Sequence, residues 1–247
     1  MNINDNEITF IICNRGGNRL FFCIDKMKTL YPYSKFIIVN QDDELPFMRG
    51  QLFNIGVKFC NTKYICLIDN DIFFNDYIDL ISLYNENNVG MLQPFDSLQQ
   101  VNIKNNMIIY KQIDKIADGS KGGITFMSKQ NFIDCNGFSN LMIGWGYEDG
   151  EFYTRNKYRN GYMRLCNICS HISHKRRNNT NIKNTEINKE FYYHRKTVND
   201  TLDGYYQTTF NLIYDININE YIRYIVVNNI SVCDDYQYKD LLSKHYE

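Results

Sequence analysis

The sequence predicts an α/β fold with a mostly parallel central sheet, and three observations support that prediction. Short apolar runs rich in β-branched and aromatic residues alternate with helix-length segments over the first hundred residues. Successive strand–helix–strand units of this kind form parallel sheets. A chain of 247 residues with 44% hydrophobic residues can bury a substantial core. Because no repeat or linker divides it, we expect a single domain over residues 1–247.

The elements of the first half follow from their periodicity. The run EITFIIC (residues 7–13) predicts a buried strand, and KFIIVN (35–40) and KYICLI (63–68) predict two more. Residues 19–31 place apolar side chains at helical spacing and stop at Pro32, and Pro46 is expected to open a second helix that runs to Cys60.

The second half is less regular. Residues 122–128 and 162–168 predict strands, while residues 129–138 predict a short helix ended by Gly137. The segment from Glu148 carries acids in the first turn of a helix, where the helix dipole favours them. Residues 180–189 are polar and are predicted to be mobile. Alternation in residues 205–216 and 221–230 predicts a smaller C-terminal hairpin.

Charge and composition exclude some classes of protein. A net charge of −1 argues against a general binder of nucleic acid or anionic membrane. No run approaches the roughly 18–20 apolar residues of a membrane span, and no secretory signal is recognised at the N-terminus. Several of the eight cysteines sit inside apolar runs, where a thiol acts as a small hydrophobe. These observations favour a cytoplasmic location.

The run ICLIDNDIFF (residues 65–74) ends a predicted strand with two carboxylates, Asp69 and Asp71. Buried carboxylates are costly unless they are paired or bind a metal, and hard divalent cations prefer oxygen ligands. The triplet DND alone predicts a solvated turn equally well.

The run IGWGYEDGEF (residues 143–152) places the single Trp145 between glycines and two acids directly after it. Such a segment can swing an aromatic ring over a pocket, and Glu148 and Asp149 can serve as a base and its orienting group. Taken alone, a buried tryptophan before an acidic helix start explains the run as well.

The run CNICSHISH (residues 166–174) invites a zinc interpretation. However, one residue separates Cys169 from His171, where about a dozen are usual in a zinc finger. We therefore expect His171 and His174 as metal ligands and the cysteines as packing residues. Exposed histidines beside a basic segment are the alternative.

Taken in order, the segments CNR, PFMRGQLFNIG, DND, GGITFMSKQNFIDCNGF, GWGYED, the histidine pair and DGYYQTTF resemble the β-1,4-galactosyltransferase family, which has a glycosyltransferase A-type fold. The resemblance runs from about Ile8 to the final hairpin and is most specific over residues 122–149. Bacterial capsule-polymer transferases share a similar GG…GWGGED half.

The resemblance implies a role for each matched residue. A UDP-sugar would be held by a nucleotide-binding half (residues 1–75) and by a half for sugar, acceptor and metal (118–247). Its donor-binding residues would be Asn14, Arg15, Phe47, Arg49, Asp69, Gly123 and Trp145. Phe47 would contact uracil and Arg49 a phosphate, while Trp145 would form the lid. The family's first loop arginine is replaced here by Cys13.

The implied metal is Mn²⁺, with Asp71 as one ligand. The family's Met-x-x-His segment aligns either with Ile168 and His171 or with His171 and His174, and two nitrogen ligands suit Mn²⁺ better. Ser120 stands where galactose-specific members have a tyrosine, so the sugar pocket has room for an N-acetyl group.

The activity that the resemblance implies is inverting transfer of a hexose or N-acetylhexosamine (galactose, GalNAc or GlcNAc) from a UDP-sugar to a glycan or other hydroxyl, with Asp149 as the catalytic base and Glu148 beside it. The product would be β-linked. Because Cys13 weakens the match to the nucleotide loop, the alternative is a catalytically weak carbohydrate-binding or scaffold protein that keeps the fold.

Overall fold

The computed structural model describes residues 3–17, 19–104, 107–116, 121–144, 146–174, 180–195 and 203–230. Within these ranges the helices are α1 (Arg19–Leu30), α2 (Arg49–Lys58), α3 (Leu80–Asn87), α4 (Lys129–Asp134), α5 (Glu148–Asn160) and α6 (Thr180–Arg195). The strands are β1 (Ile8–Asn14), β2 (Lys35–Gln41), β3 (Tyr64–Asp69), β4 (Ile72–Phe74), β5 (Met91–Gln93), β6 (Ser97–Lys104), β7 (Met107–Lys115), β8 (Ile124–Ser128), β9 (Tyr162–Arg164), β10 (Ile168–Ile172), β11 (Asn211–Asn217) and β12 (Ile222–Asn228).

The main sheet has eight strands in the order β11-β12-β2-β1-β3-β8-β5-β9. Strand β1 pairs in parallel with both β2 and β3, and β2 pairs in parallel with β12. Strand β8 enters antiparallel between β3 and β5. The predicted α/β fold and its mostly parallel sheet are therefore confirmed, with β8 near the centre and β11 at one edge running antiparallel to their neighbours.

The core lies on both faces of β1, which is buried at every position. Helix α1 contributes Leu20, Cys23, Ile24 and Met27 to this core. Helix α2 is buried along nearly its whole length, so its polar residues must find partners inside the protein. Cysteines 13, 23, 60, 66 and 169 lie in this core, as the apolar runs predicted.

Helix α2 begins at Arg49, three residues after the predicted start at Pro46. The side chain of Gln41 explains the delay, because its oxygen accepts a hydrogen bond from Met48 N (2.9 Å) and its nitrogen donates to Pro46 O (3.0 Å). These bonds hold the segment before the helix out of helical geometry.

A second sheet of four strands, in the order β4-β10-β6-β7, was not predicted. The strand predicted over residues 162–168 is divided, since β9 ends in the main sheet and β10 begins in the second one. The division occurs where Asn167 O accepts hydrogen bonds from Asp96 N and Ser97 N, which turns the chain towards β6. Strand β10 is thereby placed beside β4, directly after the DND triplet.

The prediction that residues 180–189 are mobile was wrong, because they lie within α6. Ile187 and Phe191 of this helix are buried in a small cluster with Leu141 and Met142. Ile187 and Phe191 are four residues apart, as on one face of a helix, but most of the residues around them are polar, so the periodicity was too weak to predict the helix.

The C-terminal hairpin is confirmed as β11 and β12. It is not a separate subregion, however, because β12 extends the main sheet by pairing with β2. In the part of the chain that is described, no helix combines the length and hydropathy that crossing a membrane requires.

Candidate active site with a metal-ligand group

Polar side chains lie together where three neighbouring parallel strands of the main sheet end. Asn14 at the end of β1 donates to the Asn40 side chain of β2 (2.8 Å) and accepts from the Asn70 side chain after β3 (2.8 Å). Ligands of open α/β sheets bind beyond the carboxyl ends of such strands. Asp69 and Asp71 flank Asn70 at this edge.

Three potential metal ligands converge just beyond the same edge. Asp71 Oδ2 lies 3.0 Å from His174 Nε2, and Asp71 Oδ1 lies 3.9 Å from His171 Nε2. The position of His171 follows from the second sheet, because it pairs with Ile72 of β4. Its Nδ1 lies 2.9 Å from the side-chain oxygen of Gln100, which orients the ring so that Nε2 faces Asp71.

The three residues fit a transition-metal ion. One ligand atom from each of Asp71, His171 and His174 can be chosen so that all lie within 4.8 Å of one another. Burial lowers the pKa of His171, which favours the neutral imidazole that binds metals. One carboxylate and two imidazoles are a suitable set for Mn²⁺.

The other residues considered as ligands lie elsewhere. Ile168 is exposed, and Cys169 is buried in the core. Cys166 is exposed. The only group of three or more His, Cys, Asp or Glu ligands among the described residues is the Asp71 group.

A fourth side chain, which the sequence did not predict, also contacts Asp71. Arg19, the first residue of α1, places Nη1 3.1 Å from Asp71 Oδ2. Its only signal in the sequence was a basic residue just after a Gly-Gly turn.

Arg49 organises a second cluster of charged groups. Its Nε donates to Asp69 Oδ1 (2.6 Å), and its Nη1 donates to Asp149 Oδ1 (2.5 Å). Nη1 also lies 3.6 Å from Glu148 Oε1. The guanidinium is buried, so it is the main compensation for three carboxylates in a poorly solvated place.

The two acids after the GWGY segment differ in exposure. The side chain of Asp149 is 25% exposed, whereas that of Glu148 is 6% exposed and accepts a hydrogen bond from Gly146 N (2.8 Å). Burial, and secondarily the charge of Asp149, raises the pKa of Glu148 to about 7. Burial also raises the pKa of Asp149, and the charge of Arg49 opposes that shift. Asp149 is the acid that a substrate can reach.

The Gly122–Gly123 pair makes room for these acids. A β-carbon on Gly122 would lie 2.2 Å from Asp149 Oδ2. Gly123 has a φ of +97°, and its carbonyl accepts a hydrogen bond from Asp69 N (2.9 Å). The glycine pair therefore connects the start of α5 to the end of β3.

Helix α6 holds the loop that precedes the acid pair. The buried side chain of Asn188 accepts from Ile143 N (3.2 Å) and donates to Ile143 O (3.0 Å) and Gly146 O (2.9 Å). This residue was missed because it lies in the segment predicted to be mobile. Trp145 and Ser120, both singled out from the sequence, lie outside the described residues.

The remaining predicted donor-binding residues lie along the neighbouring β2 edge. Arg15 donates to Asp43 O (2.7 Å) in the loop after β2, and Phe47 packs half-buried on the core. The buried Cys13 thiol donates to Arg49 O (3.4 Å), so it stabilises α2 at the position where the resembled family has an arginine.

Known proteins are similar to this chain over part of its length. A family model described as the N-terminal domain of galactosyltransferase matches residues 109–178. "Beta-1,4-galactosyltransferase 7" of Homo sapiens and of Mus musculus are each 34% identical over 124 residues, which is 49% of this chain and 33% of each relative. "Beta-1,4-galactosyltransferase 1" of Bos taurus is 31% identical over 123 residues, 49% of this chain and 28% of the relative. The chain thus matches about a third of the length of these curated relatives.

Solved structures resemble the whole fold. The catalytic domain of Drosophila beta-1,4-galactosyltransferase 7, in complex with xylobiose, has a TM-score of 0.65 and 20% identity over 95% of this chain and 97% of its own. A mutant of that enzyme, in complex with manganese, UDP-Gal and xylobiose, has a TM-score of 0.62 and 17% identity over 95% of this chain and 98% of its own. The chain is therefore similar to β-1,4-galactosyltransferases over about half of its length, and it has the glycosyltransferase A-type fold of the β-1,4-galactosyltransferase 7 catalytic domain.

Proposed function

We propose that this protein is an inverting, Mn²⁺-dependent glycosyltransferase that moves a hexose or N-acetylhexosamine from a UDP-sugar to a hydroxyl acceptor. The main observation behind the proposal is that the metal-ligand group of Asp71 and the carboxylate cluster around Arg49 lie next to each other at one edge of the sheet. Asp71, with its two histidines, lies two residues from Asp69, which Arg49 joins to Asp149. A metal-ligand group and an accessible acid are the two parts that such a transfer requires.

Asp71, His171 and His174 are the residues that would hold Mn²⁺. When bound, the ion supplies positive charge against the diphosphate of the departing UDP. Asn14, Arg15, Phe47, Asp69, Gly123 and Trp145 are proposed to complete the donor site, within a nucleotide-binding half (residues 1–75) and a half for sugar, acceptor and metal (residues 118–247).

Asp149 is the proposed catalytic base. It takes the proton of the acceptor hydroxyl while that oxygen forms a bond to the anomeric carbon and the bond from that carbon to the UDP oxygen breaks. Attack from the opposite face gives a β-linked product from an α-linked donor. The charge of Arg49 opposes the effect of burial on Asp149 and so favours the ionised base. The contact of Arg49 with a phosphate, expected from the resemblance, is also proposed, and it would involve a guanidinium whose Nε and Nη1 already bind Asp69 and Asp149.

The donor sugar is a separate proposal. One similar structure, the Drosophila enzyme mutant, is a complex with UDP-Gal. Another, GalNAc-T7, is a complex with UDP, GalNAc and Mn²⁺. Its TM-score is 0.55, with 11% identity over 76% of this chain and 49% of its own. The serine at position 120 supports a pocket open to an N-acetyl group. Ser120→Tyr should then shift kcat/KM from UDP-N-acetylhexosamine towards UDP-galactose, by about 10- to 200-fold. An unchanged donor ratio would contradict this assignment.

UDP release from a panel of UDP-sugars tests the function. We expect release that needs Mn²⁺, is abolished by EDTA and falls at least about 100-fold in Asp149→Asn. Asp25→Asn, on the exposed face of α1, is the matched control and should retain full activity. Release that survives in Asp149→Asn would disprove its role as the base.

A non-catalytic carbohydrate-binding protein is the second candidate, because buried Cys13 supplies no cation to the nucleotide loop. This candidate predicts sugar binding that neither UDP nor Mn²⁺ affects. If both UDP and Mn²⁺ raise the melting temperature, it is excluded.

A further inference from the structure

Arg19 and His174 share one oxygen of Asp71. Arg19 Nη1 lies 3.1 Å from Asp71 Oδ2, and His174 Nε2 lies 3.0 Å from the same atom. Arg19 thus occupies the coordination space of the proposed metal ligand. The side chain of Asp71 is only 14% exposed, so the guanidinium compensates a carboxylate that is partly withdrawn from water.

A divalent ion and a guanidinium cannot both hold this oxygen at close range. The two cations would repel one another, and the repulsion is strong where water screens poorly. An ion that binds Asp71 through Oδ2, the oxygen nearest to His174, must therefore displace Arg19, and the displaced guanidinium needs a new anion or solvent.

The diphosphate of a nucleotide is an anion of the required kind. Arginine pairs with phosphate through two parallel hydrogen bonds, and its charge is permanent. The side chain of Arg19 is 31% exposed, so it can turn away from Asp71 without crossing the core. Gly16 and Gly17, shortly before it, have no atom within 4 Å of the place of a β-carbon, which leaves open space beside the end of β1.

We propose that Arg19 is an exchangeable cation of this site. It neutralises Asp71 in the free protein and moves to the diphosphate when metal and nucleotide bind together. The inference rests on the proposed function. In this proposal Arg19 supplies a phosphate contact, although the family's first loop arginine is replaced by Cys13. Metal binding is weak until nucleotide is present, so metal and nucleotide bind cooperatively.

Titration calorimetry of the full chain with Mn²⁺ alone, and with UDP at saturating Mn²⁺, tests the exchange. Arg19→Met removes the charge and keeps an unbranched side chain. We expect it to tighten Mn²⁺ binding without nucleotide by about three- to tenfold and to weaken UDP binding by about tenfold. Arg223→Met, which breaks an Arg–Asp pair with Asp215 between β11 and β12, is the matched control and should change neither constant.

The outcomes separate the exchange from the proposed function. Wild-type protein that binds neither Mn²⁺ nor UDP would overturn both. If wild type binds both ligands and Arg19→Met has the same dissociation constants for Mn²⁺ and UDP, the proposed role of Arg19 is overturned and the proposed function is not. Weaker UDP binding without tighter Mn²⁺ binding would also overturn the exchange, because it would show that Arg19 does not compete for Asp71.

Discussion

Arg49 and Asp149, one hundred residues apart in the chain, form an ion pair of 2.5 Å between Nη1 and Oδ1. Arg49 begins α2 in the first half of the fold, and Asp149 lies in the first turn of α5 in the second half. The pair therefore fixes the proposed base against the helix that packs on β1 and β2. The same guanidinium holds Asp69 at the end of β3.

Arg49→Ala should destabilise the protein by about 3–5 kcal/mol at pH 8, because it leaves the carboxylates of Asp69, Glu148 and Asp149 without their cation. The loss should be smaller near pH 5, where protonation can relieve the uncompensated charge. Urea unfolding at the two pH values measures both effects. Arg223→Ala removes a more exposed arginine pair and should cost about 1 kcal/mol or less. An equal loss at both pH values would show that Arg49 acts through packing and not through charge.

Glu148→Gln should change how stability depends on pH. The folded-state pKa of Glu148 is about 7, above its ordinary value of 4.5, so between these values the folded protein keeps a proton that the unfolded chain has released. The unfolding free energy of wild type therefore falls as pH rises through this window, by up to about 3 kcal/mol from this group. Glutamine has no proton to lose and can still accept from Gly146 N.

The variant should thus be more stable than wild type at pH 8 and nearly equal to it at pH 4.5. Asp69 and Asp149, whose pKa values burial also raises, keep part of the slope. Denaturant unfolding from pH 4.5 to 8 provides the measurement. Glu86→Gln, on the exposed end of α3, is the control and should leave the profile unchanged. A parallel profile in Glu148→Gln would mean that this carboxyl does not titrate in the window.

The parts of the fold predicted from the sequence are those in which local pattern and burial agree. The strand at residues 7–13 and the helix from Arg19 combine strong apolar periodicity with clear turn signals, and both are present as β1 and α1. The acids of the DND triplet and of the GWGYED segment each had an equally good structural explanation when taken alone, and the resemblance to the β-1,4-galactosyltransferase family, based on the order of the segments, favoured their functional role. These signals are local, so a single sequence carries them.

The remaining features depend on contacts between distant segments. Strand β10 joins a second sheet through pairing with β4 and β6, and no local pattern encodes that choice. Helix α6 is held by a few buried residues against the loop before the acids. The approach of Arg19 to Asp71 arises because α1 starts beside the end of β3, which required the register of β1 and β3 to be known.

Asn188→Ala should destabilise the protein by about 1–3 kcal/mol, because it removes the hydrogen bonds that the partly buried backbone groups of Ile143 and Gly146 make with this side chain. The loop before Glu148 should loosen more than the rest of the fold. Hydrogen exchange should therefore increase at residues 143–147 while β1 stays protected. Asn87→Ala, which removes one exposed bond to Leu83 O, is the control. Uniform acceleration of exchange across the chain would contradict a local role.

Asp71→Asn should abolish measurable Mn²⁺ binding with a modest effect on stability. An amide is a poor substitute for the carboxylate, because it lacks the negative charge that attracts the ion to His171 and His174. In wild type the charge of Asp71 is compensated by Arg19, so the substitution loses an ion pair and also removes the cost of burying a carboxylate. We expect these effects to cancel to within about 1 kcal/mol.

Two measurements make this prediction decisive. Calorimetric titration with Mn²⁺ should give heat for wild type and none for Asp71→Asn, while thermal unfolding of the two without metal should give nearly equal midpoints. Asp76→Asn, close in sequence but at an exposed position after β4, is the matched control and should bind Mn²⁺ as wild type does. Mn²⁺ bound with equal affinity by Asp71→Asn would place the ion elsewhere. If Asp71→Asn does not fold even without metal, Asp71 has a structural role, and its ion pair with Arg19 stabilises the fold.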